Sequence, residues 1–127
     1  MKKYLLSIGL SLITMASTCL ETSAQEFGQH FEDATLRLDY IFAGNDDSQA
    51  IYLDRMKSFR GWYGRRINMD TLPLQGNGTI TVTDITGSDT VYMHSFSTLF
   101  QEWQSTEEAT RVVRSFENSF LIPMPKK

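Results

Sequence analysis

Cysteine and histidine are scarce in this sequence: its 127 residues contain one cysteine and two histidines. That inventory cannot fill a structural zinc site of the Cys₄ or Cys₂His₂ kind. A lone cysteine has no partner within the chain, so a disulfide framework is excluded as well. A basic excess is also missing. Twelve lysines and arginines stand against 15 aspartates and glutamates, a formal net charge of −3, and nothing in that balance supports a nucleic-acid binder, which usually shows a basic face. The chain is 41% hydrophobic and 21% charged. This is the composition of an ordinary globular protein, and the length allows one domain.

The N-terminus reads as an export signal. Lys2 and Lys3 precede a mostly apolar, uncharged run from Tyr4 to Ala16. A membrane-spanning helix needs about 20 apolar residues, so this run is too short to span and suits a signal-peptide core. Thr22-Ser23-Ala24 supplies the small residues expected before a cleavage site, which predicts a signal peptide over residues 1–24 and cleavage before Gln25. Export to the periplasm or the exterior is the expectation. Ala16-Ser17-Thr18-Cys19 is an imperfect lipoprotein box, and lipid anchoring through Cys19 is the alternative. Residues 25–127 then form one domain without cysteine, stabilised by its core alone.

Within that domain, Gln25 to Asp33 is polar and reads as a loose lead-in. Thr35 to Phe42 alternates: Leu36, Leu38, Tyr40 and Phe42 fall on one face, with Arg37 and Asp39 on the other, the period of a half-buried strand. Ala43 to Asp47 is turn chemistry. Gln49 to Phe59 mixes two parities, with Ile51, Leu53 and Phe59 on one and Tyr52 and Met56 on the other, and reads as a strand rather than a short helix. Thr79 to Ile85 and Thr90 to Ser97 flank the turn Thr86-Gly87-Ser88-Asp89 and are expected to pair as a hairpin. Leu99, Phe100 and Trp103 have the spacing of a helical turn. Ser105-Thr106-Glu107-Glu108 matches a capping box, with Ser105 as N-cap. Ser115 to Ile122 returns to strand character, and Pro123-Met124-Pro125 is expected to end it. The pattern predicts a mainly β protein, a β-sandwich with one or two short helical segments.

Few residues offer chemistry. His30 and His94 are far apart in the chain and neither belongs to a His-Glu-x-x-His helix. Ser95 beside His94 is adjacency only, because strand neighbours point to opposite faces. Gly76-Asn77-Gly78 lacks the lysine of a phosphate loop. Asp46-Asp47 reads as a solvated turn rather than a calcium site. No catalytic residue, metal ligand or cofactor is expected. Gly61-Trp62-Tyr63-Gly64-Arg65-Arg66 has the best claim to a site. Trp62, Tyr63, Arg65 and Arg66 would suit a partner-binding surface, stacking on sugar rings or meeting an acidic protein. The competing reading places Trp62 in the core with Arg65 or Arg66 covering it.

Longer motifs carry a family resemblance. They are Thr35 to Gly44, Ile51-Tyr52-Leu53-Asp54, Gly61 to Arg66, Leu72-Pro73-Leu74, Gly76 to Val82, Ser95 to Trp103 and Arg114 to Phe120. Together they resemble the N-terminal domain of the IgA-peptidase-type zinc metallopeptidases of Gram-negative gut bacteria. The resemblance implies a β-sandwich that precedes a separate catalytic domain, which holds the zinc ligands and the catalytic glutamate. None of those residues occurs here. It therefore implies a non-catalytic accessory domain whose partner is a metallopeptidase catalytic domain, normally in the same chain. In the relatives, further strands follow the Pro-Met-Pro stretch, so the sheet is expected to be incomplete at its C-terminal edge and the chain to be truncated. The alternative is a stand-alone secreted module that binds an extracellular glycan or protein.

Overall fold

A computed structural model describes residues 26–72 and 74–126. The expected signal peptide, its cleavage site, Cys19 and Pro73 lie outside the described residues. A short helix, α1, covers residues 26–30. Five strands come after it: β1 (Phe31–Gly44), β2 (Gln49–Arg60), β3 (Gly78–Thr83), β4 (Thr90–Phe96) and β5 (Arg114–Pro125). Between β4 and β5 lie helix α2 (Leu99–Gln104) and a single 3₁₀ turn, Glu107–Thr110. No described helix is long and apolar enough to cross a membrane.

The strands form two sheets. β1 is the middle of an antiparallel three-stranded sheet ordered β2-β1-β5, and β3 and β4 form an antiparallel hairpin. The fold is the mainly β, sandwich-like one that the alternation predicts, and the sheets do not close into a barrel.

Register shows how the sequence pattern becomes a core. Leu36, Leu38, Tyr40 and Phe42 of β1 oppose Ile122, Phe120, Asn118 and Phe116 of β5, so these residues share one face. The hairpin supplies the opposite face through Ile80, Val82, Tyr92 and Phe96. Phe96 meets Phe120 with ring centroids 4.5 Å apart and Phe42 at 6.2 Å. Two buried clusters result. Phe27, Phe31, Trp62, Tyr92 and Ile122 form one, and Phe42, Phe100, Trp103 and Ala109 form the other. Aromatic burial dominates both, at about 1.5–3 kcal/mol for a fully buried side chain of this size.

Several expectations are corrected. The segment read as a loose lead-in is ordered: α1 buries Phe27, and β1 begins at Phe31 rather than Thr35. β3 stops at Thr83, because the Asp84 carboxylate accepts from the Ser88 and Asp89 amides and turns the chain early. The capping box does not form. Ser105 is the C-cap of α2, and its hydroxyl donates to the Glu102 carbonyl at 2.7 Å, while the Thr106 hydroxyl donates to Trp103 O at 2.7 Å. The terminal carbonyls of α2 claim both hydroxyls before the next turn can use them. The N-cap of α2 is Thr98, whose Oγ1 accepts from the Gln101 amide at 3.3 Å. Finally, β5 runs through Pro123 to Pro125. It is an edge strand, so a missing N–H can be turned away from the ladder without loss.

The β1–β2 turn requires glycine. Gly44 has φ +152°, and a Cβ there would strike the Ser48 carbonyl. Asn45 N donates back to Ser48 O at 3.1 Å, and Gln104 Nε2 donates to Asn45 O at 2.8 Å, tying the turn to α2.

Phe100 is fully buried and joins α2 to β1 and β5. Phe100→Ala is expected to lower the unfolding free energy by about 3–5 kcal/mol in urea titration. A loss below about 1 kcal/mol would mean that α2 is not part of the core.

Candidate functional site

The segment from Gly61 to Arg66 leaves β2 and turns under the sandwich. Gly61, at φ +80°, makes that turn, and its amide donates to Asp33 O at 3.0 Å. Thr35 Oγ1 donates to Gly61 O at 2.6 Å. Asp33 organises the residues after Gly61. Between Phe31 and Thr35 the pairing of β1 with β5 is irregular, and such irregularities re-aim side chains. The Asp33 carboxylate accepts from the Trp62 amide at 3.0 Å and from Arg66 Nη2 at 2.5 Å. The Trp62 amide and then the Arg66 guanidinium hold the Asp33 carboxyl below its ordinary 3.8.

Trp62 lies in the core, 8% exposed, edge-on to Tyr92 at 6.2 Å. Its indole N–H donates to Arg65 O at 2.9 Å. Burial pushes the Tyr92 phenol up, and the nearby Arg65 opposes that shift. The Arg65 guanidinium carbon stands 5.6 Å from the Tyr92 ring centroid. Its nitrogens donate to the carbonyls of Asn68 at 2.6 Å, Thr71 at 2.7 Å, Met69 at 3.2 Å and Met93. One side chain thus caps four carbonyls and pins the loop after the motif to β4. Asn68 sits at φ +50°, a conformation asparagine tolerates. Arg66 lies over the Phe27 ring, 4.7 Å from its centroid, and donates to Trp62 O at 3.0 Å.

The four candidate residues therefore diverge. Trp62 faces inward, Arg65 is spent on backbone carbonyls and Arg66 is held by Asp33 and Phe27. Tyr63 alone projects freely, 93% exposed. A shallow depression of about 410 Å³ opens beside Trp62, lined by Gly64, Leu74, Tyr92, His94 and Ser95 among others. Asp33 is the organising residue that sequence reasoning missed. It lies in the stretch read as lead-in, and an aspartate 29 positions before its tryptophan leaves no local signal.

Chemistry elsewhere is sparse. Trp103 Nε1 donates to Glu108 Oε2 at 2.8 Å, and Glu108 also holds Arg114 at 2.5 Å. His94 stacks on Tyr92 with ring centroids 6.4 Å apart and is exposed, while His30 borders a separate depression. Among the described residues no three of histidine, cysteine, aspartate and glutamate converge, so the described residues do not fit a zinc site.

Comparison with known proteins adds one finding. A family model described as Peptidase M64 N-terminus matches residues 26–127, which span every strand of both sheets. No curated protein matches the chain.

Because the folded-state pKa of Asp33 is depressed, its contribution to stability is full above 3.8 and is lost as pH falls through the lower folded value. The stability gap between the parent and Asp33→Asn is therefore expected to be widest near neutrality and to narrow as pH falls from 3.8 through the lower folded value. Paired urea titrations across that range check it, and a gap independent of pH contradicts the ionic clamp.

Proposed function

The chain belongs to the family of peptidase M64 N-terminal domains, and we propose from that premise that it is a non-catalytic accessory domain of a secreted IgA-peptidase-type zinc metallopeptidase. The observation that carries the reading is the extent of the match, which runs over the whole described sandwich. Such a domain would position a catalytic domain or its substrate rather than react. The metal and the general base would come from that catalytic domain, normally continuous with this one, in an enzyme of the kind Gram-negative gut bacteria export. The positive residues, apolar run and small residues over 1–24 support delivery to the periplasm or exterior, with anchoring through Cys19 as the alternative route.

The stand-alone binding module draws less support from the Gly61–Arg66 segment. Stacking on a sugar ring needs an exposed aromatic platform, and Trp62 is committed to the core. Charge recognition needs free guanidinium groups, and those of Arg65 and Arg66 are engaged. Tyr63 remains as a single exposed ring.

Two measurements test the proposal. The purified chain, incubated with immunoglobulin A and with casein in the presence of zinc, is expected to cleave neither. Chelator-sensitive cleavage would contradict the non-catalytic assignment. The genomic sequence downstream is expected to encode a His-Glu-x-x-His domain, whereas unrelated sequence there together with glycan-array binding lost in Tyr63→Ala would favour the stand-alone module.

A further inference from the structure

The second layer of the sandwich is one strand short. Three strands face two, and β2, at the outside of its sheet, has no hairpin strand above it. Ile51, Leu53 and Met56 oppose Phe42, Tyr40 and Leu38 in register, so all three lie on the core face. They remain 50%, 48% and 60% exposed. A cleft of about 300 Å³ opens between this row and β3, lined by Leu38, Tyr40, Phe42, Ile51, Ile80 and Phe96 among others. The molecule therefore carries a protruding strand and, above it, a vacancy of one strand's width.

The charges of β2 lie elsewhere. Arg55 and Lys57 oppose Asp39 and Arg37 on the outer face, and Asp54 and Arg55 share a depression there with Asp39 and Glu117. Ser58, opposite Leu36, is the next residue of the core face, so no charge interrupts the row. The bulge at Asp54 sets Leu53 and Met56 three positions apart on that face, which breaks strict alternation. A regular strand added along the edge of β2 would fall out of phase with them. What covers the row must pack face-on, as one sheet packs on another.

A second copy meets that requirement. A two-fold axis parallel to the strands, midway between the two layers, lays β2 of each copy over β2 of the other. Each protruding strand then enters the vacancy beyond the other's β3, so one rotation fills both gaps and the contact closes at two. Pairing the two hairpins through β3 instead would drive each overhanging β2 into the neighbour's sheet. The twelve residues of β2, at about 3.3 Å each, make a strand of about 40 Å. Covering its core face reciprocally buries roughly 600 Å² per copy, the lower end of what a stable interface removes from each partner. Arg55 and Lys57, on the outer face, are not buried with it.

We propose that two copies of this chain associate through the core face of β2, with Ile51, Leu53 and Met56 of each packing on those of the other. Side chains carry the contact, and the edge amides of β2 stay outside any ladder. This goes beyond the accessory-domain reading and stands without it, because the row needs no peptidase to cover it.

Sedimentation equilibrium of the full chain tests it. A reversible monomer–dimer equilibrium in the micromolar range is expected. Met56→Glu, which alters an exposed side chain, is expected to weaken it at least about tenfold while leaving the thermal melt unchanged. Leu53→Cys in a Cys19→Ser background is expected to form a disulfide-linked dimer under mild oxidation, and Lys57→Cys in the same background to stay monomeric. A chain that remains monomeric at millimolar concentration, or assembly that grows past two copies, would overturn the proposal. So would a dimer untouched by Met56→Glu in a folded chain, or cross-linking through Lys57→Cys in place of Leu53→Cys.

Discussion

The alternation along β1 is the constraint on which the rest of the structure depends. Leu36, Leu38, Tyr40 and Phe42 must be buried on one side, and neither β2 nor β5 can bury them, because those strands lie beside β1 in the same plane. Only a second layer can. The β3–β4 hairpin and α2 supply it, bringing Tyr92, Phe96, Phe100 and Trp103 against that face. A domain of this size buries only about two-thirds of its unfolded surface, so a two-stranded second layer leaves little to spare. It covers β1 and β5 and stops short of β2. The exposed apolar row on β2 results from a three-stranded sheet facing a two-stranded one.

Charge is distributed by the same logic. Within the sandwich and its loops the cations are structural. Arg65 caps four carbonyls and Arg66 bridges Asp33 to Phe27. A planar guanidinium with five donors suits such multiple capping in a way that an ammonium does not. On β2 the cations cap no carbonyl, although Arg55, opposite Asp39, helps to hold that carboxyl low. Arginines that look alike in the sequence thus divide into those that hold the fold and those that present charge to solvent, and only their neighbours in space decide which.

The legible parts of the sequence were those set by local periodicity, and the illegible parts were those set by contacts at a distance. The hairpin and the faces of β1 and β5 could be read because each is set by residues a few positions apart, and the turn expected over Ala43 to Asp47 falls two residues later, because Ala43 and Gly44 still pair with Ala50 and Gln49. β2 looked ambiguous for a physical reason. Asp39 pairs with Arg55 and Tyr40 with Leu53, leaving Asp54 as an extra residue that shifts the parity between Leu53 and Met56. A strand with a bulge imitates a mixed pattern. Ser105 and Glu108 satisfied the spacing of a capping box, yet α2 ends just before them and its carbonyls take the hydroxyls. The Gly61–Arg66 motif stands out in the sequence, but the role of Asp33 depends on a contact across the fold and has no signature there. The match to the peptidase N-terminal family extends over the described sandwich, in keeping with the ordered motifs from Thr35 to Phe120.

Native-state hydrogen exchange, resolved by residue, tests the central claim that β1 is closed on both sides and β2 is open along one. Amides of β1 from Leu36 to Phe42 are expected to exchange only through global unfolding, while alternate amides of β2 exchange through local openings of far lower free energy. Uniform protection along β2, equal to that of β1, would contradict the account, because it would mean that the edge is already covered.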